Sequence, residues 1–157
     1  MNVKRAPASV PTRTTKAEQS EATRAALMDA ARGLFAERGY PAVATEEIVR
    51  AAGVTRGALY HHFDGKEELF AAVYEQVEAD LVAELGEMAT EASDPLDALH
   101  RGAAAFLEAC RRPEVQRITL IDAPSVLGWE RWREIGVKYG FVLIEEVLRA
   151  GMEQVVI

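Results

Sequence analysis

The amino-acid sequence predicts an all-α fold, with a three-helix head that is joined through a fourth helix to a helical body. Apolar residues recur at the i, i+3, i+4 spacing of a helix face along most of the chain. Capping residues, glycines and prolines stand where these periodic segments begin and end. No segment shows a sustained alternation of apolar and polar residues, so the sequence predicts no strand.

The first helix of the head is predicted to start near Ser20, after a tail poor in large apolar residues. Residues 1–15 contain two prolines and several basic and hydroxyl side chains, which favour a flexible basic tail. The helix should end where Gly39 can take a positive φ and Pro41 prevents continuation. Its apolar face consists of Leu27, Ala30, Ala31, Leu34 and Phe35.

Two short helices follow, separated by a tight turn. In ATEEIVRAAG (44–53), Thr45 is expected to cap the helix and Gly53 to end it. Thr55 is expected to cap the next helix, RGALYHHF (56–63). Two short helices joined by a turn of three to four residues that contains glycine form a helix-turn-helix.

The remaining helices are predicted from the same kinds of signal. Asp64 and Glu67 have the spacing of a capping box that starts a fourth helix. Asp94, followed by a proline, starts a fifth. A short apolar helix, VQRITLI, is predicted to run to Pro124, and a long one from about residue 129 to 154.

Charge is divided unevenly along the chain. Residues 1–66 carry ten Lys/Arg and seven Asp/Glu, whereas residues 67–157 carry eight Lys/Arg and eighteen Asp/Glu, for a net charge of −7. A mildly basic head on an acidic body suits a head that meets an anion. The lone Cys110 excludes an internal disulfide and fits a reducing cytoplasm. No apolar run approaches the ~20 residues that span a bilayer, and the basic N-terminus lacks the apolar segment of a secretory signal.

The adjacent His61 and His62 raise the alternatives of a metal site or of acid–base catalysis. Neighbouring residues on a helix point about 100° apart, so two adjacent histidines do not readily bind one ion. No cysteine or carboxylate cluster completes a metal site, and no nucleophile–base pair or Gly-rich phosphate loop is present. The sequence therefore predicts no enzyme, no metal site and no cofactor.

The short helix 56–63 has the composition of a helix that enters the major groove of DNA. Gly57 and Ala58 permit the close approach that its N-terminal end must make. Val54, Leu59 and Phe63 are expected to face inward. The outer face and the turn beyond it present five hydrogen-bond donors, namely Arg56, Tyr60, His61, His62 and Lys66.

The run ATEEIVRAAGVTRGALYHHFDGKEELF (44–70), preceded by ARGLFAERGY (31–40), resembles the DNA-binding head of the TetR family of bacterial transcriptional regulators. The resemblance implies a helix-turn-helix DNA-binding domain over residues 16–66. It also implies a helical regulatory domain over residues 67–157 that binds a small ligand and forms the dimer.

The resemblance also implies roles for single residues. Thr45, Thr55 and Lys66 would hold phosphates, and Arg13 and Lys16 in the tail would add sequence-independent attraction. The implied DNA-binding set is Thr45, Thr55, Arg56, Gly57, Ala58, Tyr60, His61, His62 and Lys66.

Motifs in the body are weaker and leave alternatives open. Trp129 and Trp132 lie at the i, i+3 spacing of a core face, but ligand or interface lining is the alternative. Gly136 and Gly140 each cost about 1 kcal/mol within a helix, which either close helix approach or room for a ligand can offset. The candidate ligand-binding residues are Phe106, Cys110, Ile121, Trp129, Tyr139 and Phe141.

The resemblance therefore implies a cytoplasmic, nucleoid-associated repressor that binds a pseudo-palindromic operator as a homodimer and is released by a largely apolar small molecule. The competing class is an acidic helical interaction protein, or a dimer-incompetent remnant, that does not bind DNA specifically. Members of the family normally continue with two long dimerisation helices. The end of the sequence at MEQVVI therefore predicts a body that is truncated at its C-terminus.

Overall fold

The computed structural model describes residues 15–153, which form seven α-helices and no strand, and so confirms the predicted all-α fold. The helices are α1 (Lys16–Arg38), α2 (Thr45–Ala51), α3 (Arg56–His62), α4 (Lys66–Thr90), α5 (Pro95–Ala109), α6 (Ala123–Gly136) and α7 (Val142–Glu153). A 3-10 turn (Tyr40–Ala42) joins α1 to α2, and π-helical segments (Val115–Asp122 and Val137–Phe141) precede α6 and α7. Apart from Thr15, the predicted flexible tail lies outside the described residues.

Helix α1 begins at Lys16, several residues before the predicted start at Ser20. The reason is a capping box. The Thr15 hydroxyl accepts from the Glu18 N–H at 3.2 Å, and the Thr15 N–H donates to the Glu18 carboxylate at 2.6 Å. Its end is as predicted, because Gly39 takes a φ of 79° and donates its N–H to the Phe35 carbonyl at 2.9 Å.

The caps of the two short helices differ from each other. Thr55 caps α3 as predicted, accepting from the Ala58 N–H at 3.2 Å. The prediction for Thr45 is wrong, because Thr45 is the first residue of α2 and the N-cap is Ala44. The Ala44 N–H instead donates to the Glu47 carboxylate at 2.9 Å, which satisfies one backbone donor at this end of the helix.

The capping box predicted from Asp64 and Glu67 is also absent. The N-cap of α4 is Gly65, whose φ of 144° is open to glycine alone, and no side chain accepts from the first turn of the helix. The first N–H groups of α4 therefore lack a side-chain cap.

An aromatic cluster forms the centre of the core in the head. Phe35, which is fully buried, packs edge-to-face against Phe70 with ring centroids 5.2 Å apart. Tyr40 packs against the same ring at 5.0 Å. Leu27, Ile48 and Leu59 complete the centre of this core from α1, α2 and α3, so it holds the three head helices against α4.

Helix α4 is shared by the head and the body. Its 25 residues pack against α1 in the head and against α5 and α6 in the body. The buried face carries Leu69, Phe70, Val73, Tyr74, Val77, Glu78 and Leu81. None of the described helices is both long and apolar enough to cross a bilayer.

The predicted end of a helix at Pro124 is wrong. The π-helical segment Val115–Asp122 continues directly into α6, because Pro124 lies in the first turn of α6, where a missing N–H costs little. The break comes instead at Gly128, whose φ of 73° and ψ of 164° lie outside the helical region. Helical structure resumes at Trp129, where the last long helix was predicted to start.

Candidate nucleic-acid interface and effector cleft

Helix α3 is fixed to the head through its inner face. Leu59 is fully buried in the core, Phe63 is buried just after the end of the helix, and Val54 packs against the core from the preceding turn. These contacts confirm the three inward-facing predictions. They leave the opposite face of α3 directed away from the protein.

The outer face of α3 carries most of the predicted DNA-binding residues. Tyr60 is 48% exposed, Arg56, Gly57 and His61 are exposed, and His62 and Ala58 are half-buried. Arg56 ion-pairs with Glu46 of α2 at 3.1 Å, and its guanidinium lies 5.6 Å from the centre of the Tyr60 ring. Arg56 and Tyr60 therefore form one exposed polar surface, and the ion pair with Glu46 helps to hold Arg56 in place.

Among the described residues, no neighbour of Gly57 requires a glycine at this position. A methyl group placed there would meet only the Thr55 hydroxyl oxygen, at an ordinary distance of 3.9 Å. Glycine costs a helix about 1 kcal/mol relative to alanine, and nothing in the described structure offsets that cost. The open space at Gly57 adjoins the exposed start of α3, where a partner can approach the backbone closely.

His61 and His62 contact each other but form no metal site. Their rings lie 5.0 Å apart at an interplanar angle of 75°. Within residues 15–153, no group of three or more His, Cys, Asp or Glu side chains is placed to hold a metal ion.

Lys66 and Thr45 sit differently from the other predicted contacts. The Lys66 ammonium donates to the Tyr40 and Val43 carbonyls, both at 2.9 Å, and lies 3.9 Å from the centre of the Tyr40 ring. Burial lowers the pKa of Lys66. Only one of its three N–H donors is left for a phosphate. Thr45 is half-buried at the first position of α2 and supplies no cap.

Polar contacts join the head to the body. The Arg32 guanidinium of α1 makes two hydrogen bonds to the Glu114 carboxylate, at 2.7 and 3.0 Å. The Tyr40 N–H donates to the Asp122 carboxylate at 2.7 Å. Paired, charge-assisted bonds of this kind fix geometry as well as adding stability, so the head is oriented on the body.

The body contains an apolar cleft of about 350 Å³ between α4, α5 and the last two helical segments. Its lining residues are Glu78, Leu81, Val82, Leu85, Ala89, Ala98, Leu99, Gly102, Ala103, Phe106, Gly140, Leu143, Ile144 and Val147. Its volume lies within the range of small-molecule sites, and an apolar lining with few polar groups is typical of them.

The structure does not bring the six predicted ligand-binding residues together. Only Phe106 lines the cleft. Ile121, Trp129 and Phe141 are exposed elsewhere, at 56%, 65% and 63% respectively. Cys110 packs against the core. The sixth, Tyr139, donates its hydroxyl to the Glu75 carboxylate at 3.1 Å.

The two tryptophans differ in burial, and the two glycines differ in their position relative to the cleft. Trp132 packs against the core, whereas Trp129 is exposed with its ring 5.1 Å from that of Trp132. An added Cβ at Gly136 would meet only the Tyr74 hydroxyl, at an ordinary distance of 3.9 Å, so no close helix approach requires a glycine there. Gly140 instead borders the cleft, with nothing within 4 Å of an added Cβ.

Sequence reasoning missed Glu78, the one ionisable residue among those of the described chain that line the cleft. It lies on the buried stripe of α4, four residues after Tyr74 and three before Leu81. A carboxylate at a core position of an apolar helix face was the available signal, since such groups are rarely buried without a reason.

Comparison with known proteins gives matches over much of the chain. Residues 27–73 match the family model for "Bacterial regulatory proteins, tetR family", and residues 96–157 match "Tetracyclin repressor-like, C-terminal domain". The HTH-type transcriptional regulator AcrR of Shigella flexneri is 38% identical over 109 residues, which cover 69% of this chain and 50% of the relative. The HTH-type transcriptional repressor KstR2 of Rhodococcus jostii is 32% identical over 135 residues, which cover 74% of this chain and 66% of the relative.

A solved structure gives the same result for the fold. The crystal structure of a TetR-family transcriptional regulator from Pectobacterium atrosepticum is 39% identical, with a TM-score of 0.71, and the match covers 87% of this chain and 72% of that one. This chain spans between half and two thirds of the length of the two curated relatives described above.

Proposed function

Because the chain belongs to the TetR family of bacterial transcriptional regulators, we propose that it binds operator DNA through α3 and releases it when a small molecule enters the body. In this proposal it is a repressor that holds a pseudo-palindromic operator as a homodimer, at the nucleoid in the cytoplasm. We assign DNA binding to residues 16–66 and effector binding to residues 67–157. The family consists of transcriptional regulators, and enzymatic activity is no part of the proposal.

The observation that carries the DNA-binding proposal is the outer face of α3. Arg56, Tyr60 and His61 are exposed at a capped helix whose inner face is locked into the core. Gly57 leaves the backbone open to a large surface at the same place. Donors on a rigid, groove-sized helix suit phosphate oxygens and the acceptor groups on base edges.

Thr55 and Lys66 complete the proposed contact surface on either side of this face. Thr55 already accepts from the Ala58 N–H, but a hydroxyl can also donate to a phosphate. Lys66 would contribute its remaining N–H, together with the uncapped N–H groups at the start of α4. Thr45 would contact a phosphate from the first turn of α2.

A dimer is proposed because one head supplies too little affinity by itself. Two heads spaced about one helical turn of DNA, roughly 34–36 Å, can read the two halves of a palindrome. A single head retains mainly the weak, salt-sensitive attraction to phosphates. The effector would act by favouring a spacing of the heads that does not fit the operator, which is a shift in population between two states.

The experiment is a fluorescence anisotropy titration with labelled duplexes. One duplex carries the palindrome from the DNA upstream of the coding region, and the control is a scrambled duplex of equal length and composition. We expect the palindrome to bind at least about 1,000-fold more tightly at physiological salt, at the lower end of specific recognition. The affinity for both duplexes should fall steeply as salt rises, because phosphate contacts release counterions.

The competing reading, an acidic interaction protein, gives a different result in the same titration. Its salt slope on the scrambled duplex would be near zero, and the palindrome would have no advantage. Analytical ultracentrifugation of the same sample tests the dimer. A monomer at the concentrations that saturate the operator would contradict the two-headed arrangement.

A further inference from the structure

One ionisable side chain faces the apolar cleft of the body. Among the fourteen lining residues only Glu78 can carry a charge, and the others are aliphatic residues, alanines, glycines and one phenylalanine. Glu78 is 8% exposed. Within residues 15–153 it forms no ion pair with a lysine, arginine or histidine, although ten other carboxylates of this acidic chain do.

The surroundings of Glu78 are costly for a negative charge. Burial raises the pKa of the Glu78 carboxyl, and the nearby Thr119 hydroxyl offsets only part of that rise. A buried carboxylate needs a partner of opposite charge or a set of donors, and α4 and its neighbours supply neither in full.

We infer that the apolar cleft of the body is the effector site and recognises an apolar molecule that carries one cationic amine, with Glu78 as the group that binds the amine. An ammonium group would supply the charge and the N–H donors that Glu78 lacks, in a charge-assisted hydrogen bond. The apolar remainder of the ligand would fill the rest of the cleft. This inference rests on the proposed function, because it assigns a chemical class to the effector.

Anionic ligands of the same shape are disfavoured by the same features. A carboxylate placed beside Glu78 would require one of the two groups to take up a proton. The body adds to this bias, since residues 67–157 carry eighteen acidic and eight basic side chains. A field of this sign concentrates cations and repels anions at the entrance of the cleft.

The two glycines that line the cleft leave space for the apolar part of the ligand. At both Gly102 and Gly140 an added Cβ would have nothing within 4 Å. A side chain at either position would therefore enter open space rather than clash with the chain. This makes Gly102, which lies in the middle of α5, a site at which the cleft can be filled by mutation.

The test uses three straight-chain amphiphiles of equal length, decylammonium, decanol and decanoate, below their micelle concentrations. Isothermal titration calorimetry on the whole protein without DNA measures each affinity. We expect decylammonium to bind at least tenfold more tightly than decanoate, equivalent to about 1.4 kcal/mol, with decanol between them. In Glu78→Gln, decylammonium should lose at least tenfold in affinity, whereas decanol should change less than about twofold.

Two further variants locate the effect. Glu87→Gln removes an exposed carboxylate from the same helix and should leave all three affinities unchanged. Gly102→Leu places a side chain into the cleft and should weaken all three ligands at least tenfold. Unchanged binding in Gly102→Leu would place the ligands elsewhere and overturn the inference.

Other results would also overturn it. These are equal or tighter binding of decanoate, a preference for decylammonium that survives Glu78→Gln, or no binding of any of the three. Loss of decanol binding in Glu78→Gln would give Glu78 a structural role and would likewise contradict the inference. Because no DNA is present, a failed operator titration leaves this test intact, and a failure here leaves the operator titration standing.

Discussion

Replacing Tyr60 by alanine tests the proposed contact face of α3 with the least disturbance to the fold. The Tyr60 side chain is 48% exposed, and the Arg56 guanidinium lies 3.5 Å from its hydroxyl oxygen and packs near the ring. A surface change of this kind alters the free energy of unfolding by no more than about 0.5 kcal/mol.

The expected loss in DNA binding is much larger. A specific contact is worth about 1–3 kcal/mol, so a dimer that loses one from each head loses about 2–6 kcal/mol of binding free energy. Since each 1.4 kcal/mol is tenfold in affinity, the operator should bind at least about 25-fold more weakly. Tyr60→Phe keeps the ring beside Arg56 and removes only the hydroxyl, so it should lose about 0.5–1.5 kcal/mol per head.

The assay is operator anisotropy on Tyr60→Ala, with urea denaturation of the same preparation as the check on folding. His100→Ala, an exposed substitution on α5 far along the chain from the head, is the matched control and should bind as the parent protein does. The salt slope of Tyr60→Ala should stay unchanged, because tyrosine is neutral, whereas Arg56→Ala should reduce it by about 2, or about 1 for each head of the dimer. An operator affinity for Tyr60→Ala within twofold of the parent value would refute the assignment of α3 as the contact face.

Three further predictions concern the elements that hold α3 in place. Phe35→Ala should lower the free energy of unfolding by about 3–5 kcal/mol in urea denaturation, because the ring is fully buried against Phe70; a loss below 1 kcal/mol would contradict its central position. Thr55→Ala should cost about 1 kcal/mol by the same measurement through loss of the α3 cap, and Thr55→Ser should restore most of it. The Glu47 carboxylate, hydrogen-bonded by Arg38 and by a backbone N–H, has its pKa lowered from 4.5 to about 2, so its stabilising effect is complete above pH 4.5 and is lost as pH falls toward 2. The stability difference between the parent protein and Glu47→Gln should therefore shrink over that range, and a difference that is the same at pH 6 and pH 3 would contradict the ion pair.

The head was predictable from the sequence because its determinants are local. Gly39 and Thr55 act within one turn of the residues that they cap, and Leu59 shows its inward direction by spacing alone. The misplaced cap at Thr45 has a local cause too. Glu47 reaches back to the Ala44 N–H, and the helix begins at Thr45, one residue earlier than a Thr45 cap would start it.

The apolar cleft of the body was less predictable because it depends on which faces of distant helices meet. Leu81 of α4, Phe106 of α5 and Leu143 of α7 have the same apolar character as core residues, and nothing in their spacing distinguishes a packed face from the wall of a cavity. Ile121 and Phe141 are candidate ligand-binding residues of the sequence, but the structure leaves both exposed. Only residues that break the pattern, such as Glu78 and Gly140, carried a signal for the cleft.

Helix α4 gives the proposed switch a physical route from the cleft to the DNA-binding face. At about 1.5 Å per residue, its 25 residues extend about 37 Å as a single rigid element. Near its start, Glu68 makes paired hydrogen bonds of 2.6 and 2.8 Å with Arg131 of α6, and near its middle Tyr74 donates to the Trp132 carbonyl at 3.5 Å. One turn after Tyr74, Glu78 lines the cleft.

A ligand that moves Glu78 must therefore move α4 together with α6, or break the contacts between them. The helix α3 is packed on the core that contains Phe70 of α4. Ligand binding at Glu78 can therefore provide the free energy that reorients the head. A preference of a few kcal/mol for one orientation is sufficient to change the occupancy of the operator.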